Sequence, residues 1–222
     1  MKTHARVVII GGGAMGVGIL YHLTKEGWKD VVLVEKGELT SGSTWHAAGL
    51  IPHFIASLNL AKIHYYGSEL YKNLEEETGQ ATGWHGCGAV RLAVNQDQVD
   101  WFHYVKGILA QIGAECHLLG PDEIKEVHPL LNTDGVLLGA YTTGDGHTDP
   151  SGVTHAMAIG AKNRGAEIYR NNRVTEINSL PSGEWEVVTG NGKIVCEHVV
   201  NAAGSFCAQV GAMVGLKIPV VN

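Results

Sequence analysis

The feature that most constrains this chain is the glycine spacing Gly11-x-Gly13-x-x-Gly16, set between an apolar run and a helical pattern. Val7-Val8-Ile9-Ile10 has the continuous apolar character of a parallel strand buried on both faces. Ala14 to Lys25 then follows helical spacing, with Ile19, Leu20 and Leu23 on one side and Gly27 ending it. A strand, turn and helix so arranged can receive a pyrophosphate. The first glycine makes the tight turn, the second lets backbone N–H groups approach the phosphates, and the third lets helix and strand pack closely. The helix N-terminus then faces the negative charge. Asp30 to Glu35 reads as a second apolar strand, and Glu35 ends it near the ~20-residue offset of the acid that grips a ribose hydroxyl. An acid there disfavours a 2′-phosphate and leaves NAD and FAD both open.

Composition supports a ligand-bearing globular chain without choosing the ligand. The 222 residues include 30 glycines, well above the average share of about 7%. Backbone that approaches a cofactor uses glycine, and so does a loop-rich architecture. The length is enough for one large core or two interleaved ones. No apolar run reaches the roughly 18 to 20 residues of a membrane span, so no membrane partner is expected. The first apolar stretch runs straight into glycines instead of a leader-peptide pattern, which makes the cytoplasm the expected location. A formal net charge of −6 with no basic cluster argues against a nucleic-acid partner. Cys87, Cys116, Cys196 and Cys207 form no C-x-x-C pair and read as buried or idle thiols.

Further along, Leu60, Ile63, Gly67, Leu70 and Leu74 predict one face of a helix reaching about Glu77. A strand is expected at Ala89 to Val94, a second helix through Phe102, Val105, Leu109 and Ile112, and a short helix over Pro121 to Glu126. Asp149-Pro150 reads as an N-cap with proline at the first helical position, Val153, Met157 and Ala161 facing inward. Strands follow at Glu167–Tyr169, Val174–Ile177, Trp185–Thr189 and Ile194–Cys196, with a hairpin turn at Asn191-Gly192. Val199-Val200 leads into Asn201-Ala202-Ala203-Gly204 and a last helix, and Ile218 to Val221 reads as the start of a strand. A meander that closes on an apolar strand ending in small residues resembles the second cofactor contact of FAD enzymes, which favours FAD over NAD.

The segment Thr40-Ser41-Gly42-Ser43-Thr44-Trp45-His46-Ala47-Ala48-Gly49-Leu50 carries a more specific likeness. It resembles the flavin-attachment segment of the dimethylglycine and sarcosine dehydrogenase family, within the D-amino-acid-oxidase-like FAD enzymes. Lys62-Ile63-His64-Tyr65, Arg91-Leu92-Ala93, Gly144 to Pro150 and Val200 to Gly204 agree in the same order. The resemblance implies an α/β, Rossmann-type FAD-binding fold with an inserted, incomplete substrate domain. FAD-binding residues are expected at 1–84 and 140–222, and the first part of a substrate domain at 85–139. Family members continue well past residue 222, so the chain looks truncated at its C-terminus and no catalytic residue is assigned within it.

The same resemblance implies roles residue by residue. Gly11, Gly13, Ala14, Met15 and Gly16 form the pyrophosphate turn, and Glu35 and Lys36 meet the ribose and adenine. Gly42, Ser43, Thr44, Trp45, His46, Ala47, Ala48, Gly49 and Leu50 wrap the flavin, with His46 at the position of a covalent flavin link. Val174 matches a backbone contact to adenine, and Ala203, Gly204 and Phe206 form the second contact, Phe206 standing where relatives carry tryptophan. The implied reaction is oxidation of the N-methyl group of a secondary or tertiary amine such as dimethylglycine or sarcosine, a hydride equivalent passing to flavin N5. The implied acceptor is an electron-transfer flavoprotein or oxygen. Two alternatives stay open: a catalytically silent regulatory relative, and an NAD-binding dehydrogenase. Asp149 is most simply a helix cap and His147 a loop histidine. His53, His64, His85, His103, His117 and His128 have no metal-ligand spacing, so no metal is expected.

Overall fold

The structure is a computed structural model that describes residues 1–220. In chain order the first elements are β1 (His4–Ile10), α1 (Ala14–Lys25), β2 (Val31–Val34), β3 (Leu50–Ile51), α2 (Leu58–Thr78) and β4 (Ala89–Ala93). Next come α3 (Gln96–Ala110), β5 (His117–Leu119), α4 (Pro121–Val127), β6 (Leu138–Thr142), β7 (Gly146–His147) and α5 (Pro150–Asn163). The last are β8 (Glu167–Tyr169), β9 (Val174–Ser179), β10 (Trp185–Thr189), β11 (Gly192–Asn201), a 3-10 turn at Gly204–Phe206 and α6 (Cys207–Ala212). The chain divides into two compact units: residues 1–48, 74–82 and 150–222, and residues 49–73 and 83–149.

The first unit is built on a six-stranded sheet in the order β8-β2-β1-β11-β10-β9. Its β8, β2, β1 and β11 run parallel, whereas β10 pairs antiparallel with both β11 and β9. Val8, Ile9, Val32 and Leu33 are fully buried, as expected of strands with a buried residue at every position. One core cluster joins Val8, Val32, Ile177, Val187, Ile194 and Cys196. Burial pushes the Cys196 thiol up to about 11, so it acts as a small apolar side chain. α1 packs beside α5. There the buried Tyr21 donates its hydroxyl to Glu77 at 2.6 Å, and burial with that bond pushes its pKa up to about 12. A hairpin forms one residue earlier than expected: Gly190-Asn191 make the turn, and Gly192 opens β11 opposite Thr189.

The second unit has a three-stranded antiparallel sheet, β4-β6-β5, and a two-stranded ribbon, β3-β7. Phe102, Val105 and Leu109 of α3 are buried with Phe54, Ala61, Ala93 and Ala140. The division differs from the expected one at residues 49–73, 83–84 and 140–149, and backbone pairing and core packing account for most of the difference. β6 is hydrogen-bonded to β4 and β5, and β3 to β7, while Phe54 and Ala61 pack into the core with Phe102 and Ala140, so these segments belong to the second unit.

Two other expectations need correction, on α2 and at residues 218–220. On α2, Leu60 and Ile63 are exposed at 52% and 64%, and Ala61, Ser68 and Leu74 are the buried positions. Residues 218–220 adopt no regular structure in place of the expected strand, and Val221 lies outside the described residues. Of the four free cysteines, Cys116 and Cys196 are buried, but Cys87 is exposed.

Candidate functional site

The C-terminal ends of β1 and β2 and the segment after β11 meet at a cavity of about 550 Å³ in the first unit. Residues from four stretches line it: Ile10 to Met15, Val34 to Lys36 with Thr40 to Thr44, Arg173-Val174, and Ala202 to Phe206 with Gln209, Val210 and Met213. This is where open parallel sheets place ligands, in the crevice outside the strand ends.

The turn between β1 and α1 shows why glycine is needed. Gly11 has a φ of +119°, and a Cβ there would run into the Ala202 carbonyl. A Cβ on Gly16 would strike the Gly11 carbonyl, so this glycine seats helix against strand and stays out of the cavity lining. Gly13 is different. Its backbone is ordinary (φ −83°, ψ −179°), and a Cβ there would meet only Thr44 Oγ1, at 3.1 Å. The space beside Gly13 is therefore open to the cavity.

Ala14 N–H donates to Thr44 Oγ1 at 3.0 Å, so a hydroxyl sits where an anionic oxygen would accept the same bond. Glu35 is half-buried at the end of β2. One of its oxygens accepts the Gly12 N–H at 2.6 Å and the other the Gly37 N–H at 2.8 Å. The carboxylate thus braces both adjoining turns, and a carboxylate with two bonds retains lone pairs for a hydroxyl. Lys36 Nζ lies 3.1 Å from the Phe206 ring centroid on the same lining, a cation–π pair between two expected site residues.

Of the expected site residues, Gly11, Gly13, Ala14, Met15, Glu35, Lys36, Gly42, Ser43, Thr44, Val174, Ala203, Gly204 and Phe206 line this cavity. Trp45, His46, Ala47 and Ala48 do not. They are exposed in the first unit, with the Trp45 and His46 rings edge to face at 4.8 Å. Gly49 and Leu50 fall in the second unit, where Leu50 pairs with His147. Sequence reasoning missed Gly12, Thr40, Ser41, Arg173, Gln209 and Met213, all of which line the cavity. Gly12 had a signal, since it completes three consecutive glycines, and a Cβ there would lie 2.7 Å from Leu39. Gln209 and Met213, around a turn and a helix too short for a periodic pattern, had none.

The second unit holds a buried polar cluster. His53 is 2% exposed, and its Nε2 lies 2.6 Å from Ser68 Oγ. Ser68 donates its own proton to the Tyr65 carbonyl, so the imidazole is the donor in that pair. Asp145, also 2% exposed, accepts the His53 backbone N–H at 2.7 Å and pairs with Arg91 at 3.3 Å. Burial holds the His53 imidazole below the usual histidine range. Serine, histidine and aspartate meet here without forming a nucleophilic triad. The carboxylate holds backbone and not the ring, and the serine proton is committed to a carbonyl. On the exposed side of the same unit, the donor atoms of His85, Cys87 and His147 lie within 4.8 Å of one another.

A family model described as FAD-dependent oxidoreductase matches residues 6–222. The chain belongs to this family. FAD is therefore its cofactor, and the choice that Glu35 left open is closed. The chain is 47% identical to dimethylglycine dehydrogenase, mitochondrial, of Homo sapiens, over 99% of its own length and 25% of that protein. It is 38% identical to sarcosine dehydrogenase, mitochondrial, of Homo sapiens, over 100% of its length and 25% of that protein. Among solved structures, L-proline dehydrogenase from P. horikoshii superimposes with a TM-score of 0.90 at 29% identity, covering 100% of this chain and 58% of that one. The chain spans about a quarter of the length of these two dehydrogenases.

The expectation of a cytoplasmic location is overturned, because these dehydrogenases are mitochondrial. Its physical basis was weak: the residues it was read from are those of β1, a core strand, and strand packing carries no address. No described helix is long and apolar enough to cross a membrane.

Proposed function

We propose that this chain is the FAD-binding part of an enzyme that oxidises the N-methyl group of a secondary or tertiary amine of the dimethylglycine or sarcosine type. The observation that carries the reading is the convergence of the four cavity-lining stretches around the open side of Gly13. The residues fit the cofactor: the N–H groups of Ala14 and Met15 take the pyrophosphate, and Glu35 the ribose. Lys36, Val174 and Phe206 border the adenine, and Gly42 to Thr44 lead toward the flavin. Thr44 Oγ1, which accepts the Ala14 N–H, would share that donor with a phosphate oxygen. Bound FAD supplies a hydride acceptor, and the protein's part is to bind, orient and exclude water. The second unit is assigned as the start of the substrate domain. His46 is assigned as the covalent flavin attachment, supported by the Ser43 to Gly49 segment that it shares in pattern with that family. The electron acceptor is assigned as an electron-transfer flavoprotein or oxygen.

The test is anaerobic addition of dimethylglycine or sarcosine to the flavin-loaded protein. Bleaching of the oxidised flavin absorbance is expected. A flavin spectrum unmoved by either amine would point to the regulatory reading instead. Acid precipitation tests the link: flavin in the pellet and a flavin-mass adduct on the His46 peptide are expected, whereas flavin wholly in the supernatant makes His46 a packing residue.

A further inference from the structure

Backbone pairing in the second unit brings together three soft donors that lie far apart in sequence. His85 and His147 form an antiparallel bridge with both hydrogen bonds, His85 N–H to the His147 carbonyl at 2.8 Å and the reverse at 3.0 Å. Directly opposed residues of such a pair carry their side chains on one face, Cα atoms about 5.5 Å apart. The two rings accordingly stand 5.3 Å apart, centre to centre, with planes tilted by 36°. Cys87 follows two residues after His85, its N–H bonded to the His85 carbonyl at 3.2 Å. The next residue, Gly88, is pinned to the Asp145 carbonyl at 2.8 Å. A Cβ on Gly146 would collide with the His85 carbonyl, so the close approach of the two segments depends on that glycine.

We propose that His85, Cys87 and His147 form a three-ligand site for zinc. Their donor atoms already lie within 4.8 Å of one another. Around a tetrahedral zinc, with bonds of about 2.0–2.3 Å, donors stand roughly 3.3–3.8 Å apart, so side-chain rotation closes the remaining gap. Two imidazoles and a thiolate are a borderline-soft set that suits zinc and neighbouring late transition metals and rejects magnesium and calcium. All three side chains are exposed, which gives the ion an entry path and leaves the fourth position to water. On binding, the thiol proton passes to solvent. None of the three residues lines the cavity at the glycine turn, and the proposal stands or falls independently of the flavin reading.

The test is an anaerobic titration of the full chain with cobalt(II), followed by displacement with zinc(II). Expected are one equivalent bound, a near-ultraviolet thiolate-to-cobalt charge-transfer band, tetrahedral visible bands, and loss of all of these when zinc is added. Cys87→Ser removes the charge-transfer band, and Cys207→Ser, at the other accessible thiol, leaves it. His147→Gln weakens zinc binding by more than about tenfold, since losing a ligand costs at least what losing an outer-shell partner does. Because the three positions are exposed, the variants keep the parent circular dichroism spectrum. No charge-transfer band in the parent chain overturns the proposal, as does a band that survives Cys87→Ser or that Cys207→Ser abolishes.

Discussion

Two carboxylates in this protein do the same local job in different surroundings. Glu35 and Asp145 each accept a backbone N–H from a segment distant in sequence, at 2.6 Å from Gly12 and 2.7 Å from His53. Glu35 is half-buried and lines a cavity of about 550 Å³, whereas Asp145 is 2% exposed and enclosed with His53 and Arg91. The first has lone pairs facing open space and can serve a ligand as well as the backbone. The second has the same number of bonds but is closed in by protein, so no ligand reaches its remaining lone pairs and its contribution is stability. Hydrogen-bond geometry alone does not separate the two roles; the space left beside the oxygens does.

The sharpest way to break this contrast is at Gly13. Gly13→Val places a branched side chain in the open space and is expected to weaken FAD binding by more than about a thousandfold, ~4 kcal/mol. The thermal midpoint should change little, because the backbone there is ordinary and only Thr44 lies near. A variant that keeps normal flavin content would show that no phosphate sits beside Gly13. Asp145→Ala should do the opposite. Stripping a buried charged acceptor from Arg91 and from the His53 N–H is expected to cost about 3 kcal/mol in urea unfolding. FAD affinity of the protein that remains folded should be unchanged.

Glu35→Gln sharpens the comparison, since it leaves one good acceptor for two backbone N–H groups and removes the charge. FAD affinity should fall roughly ten- to a hundredfold, as loss of a charge-assisted bond worth about 1.5–3 kcal/mol requires. Equilibrium binding in a His46→Ala background reads this free of any covalent link. Unchanged affinity would make Glu35 a brace for the turn and nothing more.

The smallest effect concerns pH. The buried His53 has a depressed pKa in the folded state, so the unfolded chain takes up its proton first as pH falls. Its contribution to stability is complete above the unfolded value of about 6.5 and declines as pH drops from there toward the folded pKa. His53→Gln, which keeps a donor for Ser68, should flatten that part of the stability profile measured by urea midpoints. A profile identical to the parent's would assign the acid limb to other groups.

The elements that were legible in the sequence are those whose own residues repeat a periodic rule. β1, α1 and β2 were, because an apolar run, a helical stripe and three spaced glycines are local patterns. β5 and β6 were not: His117-Leu118-Leu119 and Leu138-Gly139-Ala140-Tyr141-Thr142 have no clear alternation and become strands through pairing. The face of α2 was misjudged because hydropathy ranks Leu60 and Ile63 above Ala61 and Ser68. Packing favoured the small side chains, and Ser68 is held inside by His53 and the Tyr65 carbonyl.

By itself, then, the sequence determined a dinucleotide turn, the acid that follows it, and the family to which both belong. These depend on residues close in the chain, where spacing alone sets geometry. Only the tertiary structure decided that the 42–50 segment lines the cavity over Gly42 to Thr44 alone. It alone decided that Asp145 is sealed while Glu35 is open, and that His85, Cys87 and His147 converge. Each of those outcomes rests on pairing between segments distant in sequence, and the register of that pairing is written in no short stretch of the chain.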